Sequence, residues 1–151
     1  MMYRTAIIRG CIKVENSVAS IYSNLMQVFP EKKDFWGSLF NDEREHIAFL
    51  TDVKSLELSD EIEKVDLLPT MPMIDKTLRL AEDVNEKIKS RSLTFNDALS
   101  MTLEIEESMV ETYSNKIVAK LLSCADESSC EKFITDEKSH VEKISIMMRD
   151  V

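Results

Sequence analysis

Only 2 glycines and 3 prolines occur among the 151 residues. Glycine supplies tight turns and proline interrupts regular backbone, so this scarcity argues against a turn-rich β architecture and for long unbroken helices. Four long segments carry apolar residues in steps of three and four, the spacing of one helix face. The first runs from about Thr5 to Phe29, with Ile8, Cys11, Val18, Tyr22, Leu25 and Phe29 on its stripe, and Pro30 ends it. The second runs from about Lys32 to Leu56 and is striped by Trp36, Leu39, Leu50 and Val53. Thr94 and Asp97 form a capping box that opens the third, which continues to about Leu122 through Leu99, Leu103, Val110, Tyr113 and Ile117. Ser128 and Glu131 cap the fourth, which carries Phe133, Ile144 and Met147.

Between the second and third segments lies a long connection, roughly residues 57–93. Past Pro69 and Pro72 it contains MIDKTLRLAEDVNEKIKS, expected to form a shorter extra helix with Ile74, Leu78, Ala81, Val84 and Ile88 facing inward. Short first and last loops with one long middle crossover predict a single all-α domain over residues 1–151. Its connectivity is that of a ferritin-like antiparallel four-helix bundle. The two halves also form a weak internal repeat: VENSVASIYSN around Glu15 parallels IEESMVETYSN around Glu106, and each reaches a Glu-x-x-His about thirty residues later.

Each apolar stripe is interrupted. Glu15 stands between Cys11 and Val18, Glu43 and His46 between Leu39 and Leu50, Glu106 between Leu103 and Val110, and Glu137 and His140 between Phe133 and Ile144. Four carboxylates and two imidazoles thus occupy positions where core side chains belong. Buried carboxylates are costly and repel one another; protonation relieves one or two, whereas two divalent cations cancel all four charges. Residues three apart share a helix face, so the Glu and His of each Glu-x-x-His reach the same or adjacent ions. One Glu from each of two helices and a Glu-x-x-His from each of two others is a ligand set for two metals in a bundle. With 17 glutamates in the chain, both histidines would be preceded by Glu at that spacing by chance in about 1% of cases.

Composition excludes other classes. A net charge of −9, from 28 acidic and 19 basic residues, repels phosphate backbones, so nucleic acid is not an expected partner. No apolar run approaches the roughly 18–20 residues of a membrane span. The opening MMYRTAIIRGCIKVE meets Lys13 and Glu15 too early for a secretory signal, so the expected location is cytoplasmic. Cys11, Cys124 and Cys130 form no Cys-x-x-Cys pair and read as semi-buried thiols of a reducing compartment. No nucleophile triad or phosphate loop competes with the carboxylate–histidine set. Arg44 and Glu45 read as a solvated face and Trp36 as core.

The segments VENSVASIY, FNDEREHIAFL, IEESMVETY and TDEKSHVEKI together resemble the rubrerythrin branch of the ferritin-like superfamily, over all four long helices. The resemblance implies a di-iron centre in which Glu43 and Glu137 bridge the metals, Glu15 and Glu106 are terminal ligands, and His46 and His140 bind one metal each. Manganese or zinc are alternative occupants. It implies reduction of hydrogen peroxide, with oxidation of ferrous iron by oxygen as the alternative activity. A third reading is a non-enzymatic bundle stabilised by metal. This chain departs from many rubrerythrins in having no paired Cys-x-x-Cys domain, so electrons are expected from a separate donor protein. It departs again in having Met109, not a carboxylate, three residues after Glu106. A register with Glu104 as ligand would make Glu107 that second carboxylate, but Glu106 lies on the apolar stripe and pairs with Glu15 in the repeat. Tyr22 and Tyr113, two turns beyond their glutamates, read equally as partners of ligand carboxylates or as core tyrosines. Homodimers are common among such proteins, and the outer face of the connecting helix offers a surface for one.

Overall fold

Two long helices joined by a minimal turn open the chain. The computed structural model describes the backbone of residues 2–55, 71–113 and 127–150, and the side chains of those residues except 2–8, 49, 52–55, 71, 110–113, 127–134 and 137. Helix α1 spans Met2–Val28 and helix α2 spans Lys33–Ser55. Between them Pro30–Lys32 forms a 3-10 turn. Proline at the first position of that turn fixes the backbone there, and Lys32 N–H donates to Phe29 O at 2.9 Å. So short a link makes α1 and α2 antiparallel neighbours.

Helix α3 spans Met71–Lys89, α4 spans Phe95–Tyr113 and α5 spans Glu127–Asp150. Every regular element among the described residues is helical, and none of these helices is long and apolar enough to cross a membrane. Helix α1 packs on α2 and α3, α4 packs on α3 and α5, and α2 meets α5. Most predicted stripe positions whose side chains are described are buried: Cys11, Val18, Tyr22 and Leu25 on α1, Trp36, Leu39 and Leu50 on α2, Leu99 on α4 and Ile144 on α5, while Phe29, Leu78 and Met147 are half-buried against the same core. On α4 the buried face is broader than predicted, with Ala98, Thr102, Ile105 and Met109 buried and Leu103 only half-buried. Ile8, Val53, Val110, Tyr113, Ile117, Phe133, Cys124 and Cys130 lie outside the residues whose side chains are described.

The connecting helix is more than an addition to a four-helix core. At 19 residues α3 matches the described length of α4, and Ile74, Ala81, Val84 and Ile88 join the common core. Polar bonds fix its register on both neighbours. Asn24 Nδ2 donates to Asn85 Oδ1 at 3.1 Å, Asn85 Nδ2 donates to Ser17 O at 3.2 Å, and the Thr77 and Ser108 hydroxyls bond across to α4. The five described helices therefore share one core, because α3 carries an apolar stripe of its own that needs cover.

Helix α4 begins with the capping box expected at Thr94. Asp97 N–H donates to Thr94 Oγ1 and Thr94 N–H donates to Asp97 Oδ2, both at 3.1 Å. The predicted cap of α5 at Ser128 lies outside the residues whose side chains are described. Thr94→Ala removes one half of the box and is expected to lower unfolding stability by about 1 kcal/mol. Chemical denaturation checks this, with an unchanged denaturant slope showing that stability alone has altered.

Candidate metal centre

Five of the six residues singled out in the sequence meet inside the bundle. Glu15 of α1, Glu43 of α2 and Glu106 of α4 are each 0% exposed, as is His140 of α5, and His46 of α2 is 3% exposed. The sixth, Glu137, lies outside the residues whose side chains are described. Glu104 and Glu107 are both exposed, so the α4 register that turns Glu106 inward is the one the fold adopts. Neighbours on the same helices explain this burial: Val14 and Val18 flank Glu15, and Ile105 and Met109 flank Glu106, all in the core. A helix cannot bury such an apolar stripe without carrying the glutamate in with it.

The five side chains form two overlapping triads. Glu15, Glu43 and His46 offer ligand atoms within 4.8 Å of one another, and so do Glu43, Glu106 and His140. Glu43 belongs to both. Its Oε2 lies 3.8 Å from His46 Nδ1 and its Oε1 lies 3.4 Å from His140 Nδ1. Glu15 Oε2 is 3.9 Å from His46 Nδ1, and Glu106 Oε1 is 3.2 Å from His140 Nδ1. The two imidazole rings stack at 6.1 Å between centroids. Each histidine thus turns its Nδ1 toward the carboxylates.

The other ring nitrogens face outward to a pair of aspartates in a crossed arrangement. His46 Nε2 on α2 donates to Asp136 Oδ2 on α5 at 3.0 Å, and His140 Nε2 on α5 donates to Asp42 Oδ2 on α2 at 2.9 Å. A proton held at Nε2 leaves the Nδ1 lone pair of the neutral ring for a metal. Sequence reasoning passed over both aspartates. The signal was there, since each directly precedes its glutamate and the longer pattern Asp-Glu-x-x-His occurs twice, at 42–46 and 136–140. Tyr22, which the sequence left between two roles, is fully buried and its hydroxyl donates to Glu106 Oε1. It reaches across to α4, not to Glu15 on its own helix. Tyr113 lies outside the residues whose side chains are described.

No family model, curated protein or solved structure matches this chain. The chemistry of the site therefore rests on its own geometry.

Among the described residues, none of the four carboxylate oxygens of Glu15 and Glu43 makes a hydrogen bond, although all are sealed from solvent. Leaving a buried charged acceptor without a donor is strongly unfavourable. Burial is the largest influence raising the Glu15 carboxyl well above its ordinary range, and the charge of Glu43 raises it further. Burial also raises Glu43, while contacts with Glu15 and His140 pull it back. For His140, burial alone would lower the value, but the hydrogen bonds to Asp42 and Glu106 and the nearby Glu43 carboxylate outweigh it and raise it far above the imidazole range. The hydrogen bond from His140 holds Asp42 below its usual value. Protons thus stand in for positive charge. The buried glutamates and histidines can hold a metal ion.

Two outcomes follow. Asp42→Ala and Asp136→Ala leave the buried donors in place but free the imidazoles to turn, and each is expected to weaken metal binding about 10–100-fold, measured by competitive titration against a chelator. The second concerns pH. Glu15 and Glu43 titrate above the ordinary 4.5 and His140 above the ordinary 6.5, so the metal-free native state holds protons that the unfolded chain releases as pH rises. Its Tm is expected to fall between about pH 5 and about pH 8, while the Tm gained on adding metal grows over the same window because binding displaces those protons. A metal-free Tm that climbs across this window contradicts the assignment.

Proposed function

We propose that the chain is a ferritin-like di-iron carboxylate protein of the rubrerythrin kind, which reduces hydrogen peroxide with electrons from a separate donor. The observation that carries this reading is the pair of triads sharing Glu43, sealed in the core with the oxygens of Glu15 and Glu43 lacking hydrogen-bond donors. Two triads with a common carboxylate would suit two ions that both draw on Glu43. A ferrous pair would supply the two electrons that peroxide needs, with two protons, to become two molecules of water.

The protein's own part is to hold, orient and shield. Glu15 with His46, and Glu106 with His140, would each supply one carboxylate and one imidazole to a metal, and Glu137 is proposed as a second carboxylate shared between the two. Asp42 and Asp136 keep the Nε2 protons in place and thereby aim Nδ1 inward. The Asp side chains are 24% and 18% exposed whereas both histidines are almost sealed, so the aspartates form the polar link between site and solvent. Val14, Val18, Ile105 and Met109 exclude bulk water along the same helices. Met109 also deprives this chain of the carboxylate that would follow Glu106 in many rubrerythrins, so a carboxylate–histidine exchange at that position is not part of the proposal.

Elemental analysis of protein prepared without oxygen and with ample ferrous iron tests the reading, with about two iron ions per chain expected and fewer than about one counting decisively against it. Glu43→Ala is expected to abolish two-metal binding, and Glu107→Ala to leave metal content unchanged. Peroxide consumption with a reduced donor, measured beside ferrous oxidation by oxygen, separates peroxide reduction from iron oxidation. Two bound metals with neither activity would leave a metal-stabilised bundle.

A further inference from the structure

Around the bundle α2 packs on α1, α1 on α3, α3 on α4 and α4 on α5, and α2 meets α5 to close the ring with the loosest approach of these pairs. On its solvent side this closing seam is bridged by charged groups: His46 with Asp136, His140 with Asp42, and Lys143 Nζ at 4.0 Å from Asp42 Oδ2. There Asp42, Asp136 and the exposed Glu45 bring carboxylate oxygens within 4.8 Å of one another. A separate observation lies directly behind this group. Both oxygens of Glu43 are sealed from solvent and accept no hydrogen bond among the described residues. Glu43 Oε1 faces the inner nitrogen of His140 at 3.4 Å, and the outer nitrogen of the same ring is held by Asp42 at 2.9 Å. One imidazole therefore separates a buried carboxylate that lacks a donor from carboxylates that meet water. Beside Glu15 and Glu106, by contrast, the helices present the buried apolar side chains of Val14, Val18, Ile105 and Met109.

We propose that the α2–α5 seam is the port through which divalent cations reach the buried Glu/His cluster, with Asp42, Glu45 and Asp136 as its mouth. The inference rests on the reading of that cluster as a metal centre, and it assigns the way in. Stripping water from a divalent cation against apolar side chains is costly, because nothing replaces the lost oxygens. Carboxylates do replace them, and hard cations take oxygen ligands readily. A hydrated cation arriving at the mouth exchanges part of its water for carboxylate oxygen and stays compensated up to the two rings. Passing the rings requires one of them to turn. Asp42 and Asp136 hold both rings at Nε2 by bonds across the seam, and a carboxylate drawn to a cation accepts those bonds less strongly. Binding at the mouth thus loosens the latch behind it. Glu45 raises the local concentration of cations by its charge. Lys143, with its side chain 46% exposed, competes with them for Asp42.

Uptake of cobalt(II) by the metal-free chain tests the port, followed by visible absorption after rapid mixing at concentrations where the rate is proportional to cobalt. Glu45→Lys is expected to slow uptake several-fold and Lys143→Glu to speed it several-fold, with the amount of cobalt finally bound unchanged in both. Added salt is expected to shrink both effects, since charges at a surface are screened over about 10 Å at 0.1 M. Glu104→Lys and Glu107→Lys make the same change of charge at exposed positions on α4, off the seam, and are expected to leave the rate near that of the wild type. A rate indifferent to both Glu45→Lys and Lys143→Glu overturns the port. So does an equal slowing by either α4 variant, which would mark the charge of the whole surface as the cause. A chain that takes up no cobalt overturns the metal reading and the port together, whereas full uptake at a rate blind to the mouth overturns the port alone.

Discussion

Like charges enclosed in an apolar interior dominate this structure. Glu15, Glu43 and Glu106 share one sealed volume, and in a medium of low polarisability their mutual repulsion is far stronger than at a surface. Such a group cannot persist without compensating positive charge. In the metal-free chain the compensation comes from protons, held at Glu15 and Glu43 above their ordinary range and at His140 far above its own. Metal ions of the proposed centre would replace those protons with larger charge at fixed points. Folding and loading are therefore one electrostatic problem solved with two kinds of cation.

The helices make the problem soluble. Each acidic residue sits well inside a helix, where backbone hydrogen bonds are complete and flanking residues one and three positions away pack against the common core. Val14 and Val18 hold Glu15 in register, and Ile105 and Met109 hold Glu106. A loop could not present a carboxylate with such constancy against its neighbours' repulsion. Helix α3 contributes no ligand, yet its Asn85 and Thr77 tie it to α1 and α4, the two helices that carry Glu15 and Glu106. By seating along both, it closes their outer side and sets the spacing across which Tyr22 reaches Glu106.

What could be read in the sequence divides along physical lines. Features fixed by a single helix were legible: the apolar stripes, the capping box at Thr94, and the inward turn of Glu106 in preference to Glu104. Each depends only on periodicity along one segment. Features fixed by the rotation of one helix against another were not. Asp42 and Asp136 lie beside their own glutamates but act on the histidine of the opposite helix, and nothing along either segment states that crossing. Tyr22 shares a stripe with Glu15 but bonds Glu106, because seven residues along a helix span about 10 Å, beyond the reach of a direct bond, while Glu106 points at its hydroxyl from across the core. The depth of α3 was understated for a similar reason: its stripe was visible, but the faces of α1 and α4 left open for it were not.

The two triads share Glu43 but are not equivalent, and the difference has a direction. Around His140 the contacts are short and many: Glu106 at 3.2 Å, Glu43 at 3.4 Å, Asp42 at 2.9 Å, with Tyr22 also on Glu106. Around His46, Asp136 lies at 3.0 Å much as Asp42 does around His140, but the two buried carboxylates approach only to 3.8 and 3.9 Å, and among the described residues neither oxygen of Glu15 makes a hydrogen bond. A protonated His140 thus offsets one carboxylate charge of its own triad through short contacts, while on the other side Glu15 meets the same cost by holding a proton of its own. In the proposed two-metal centre, a first cation drawing on Glu43 would weaken the support that Glu43 gives to the proton on His140, so the shared carboxylate would couple the two halves.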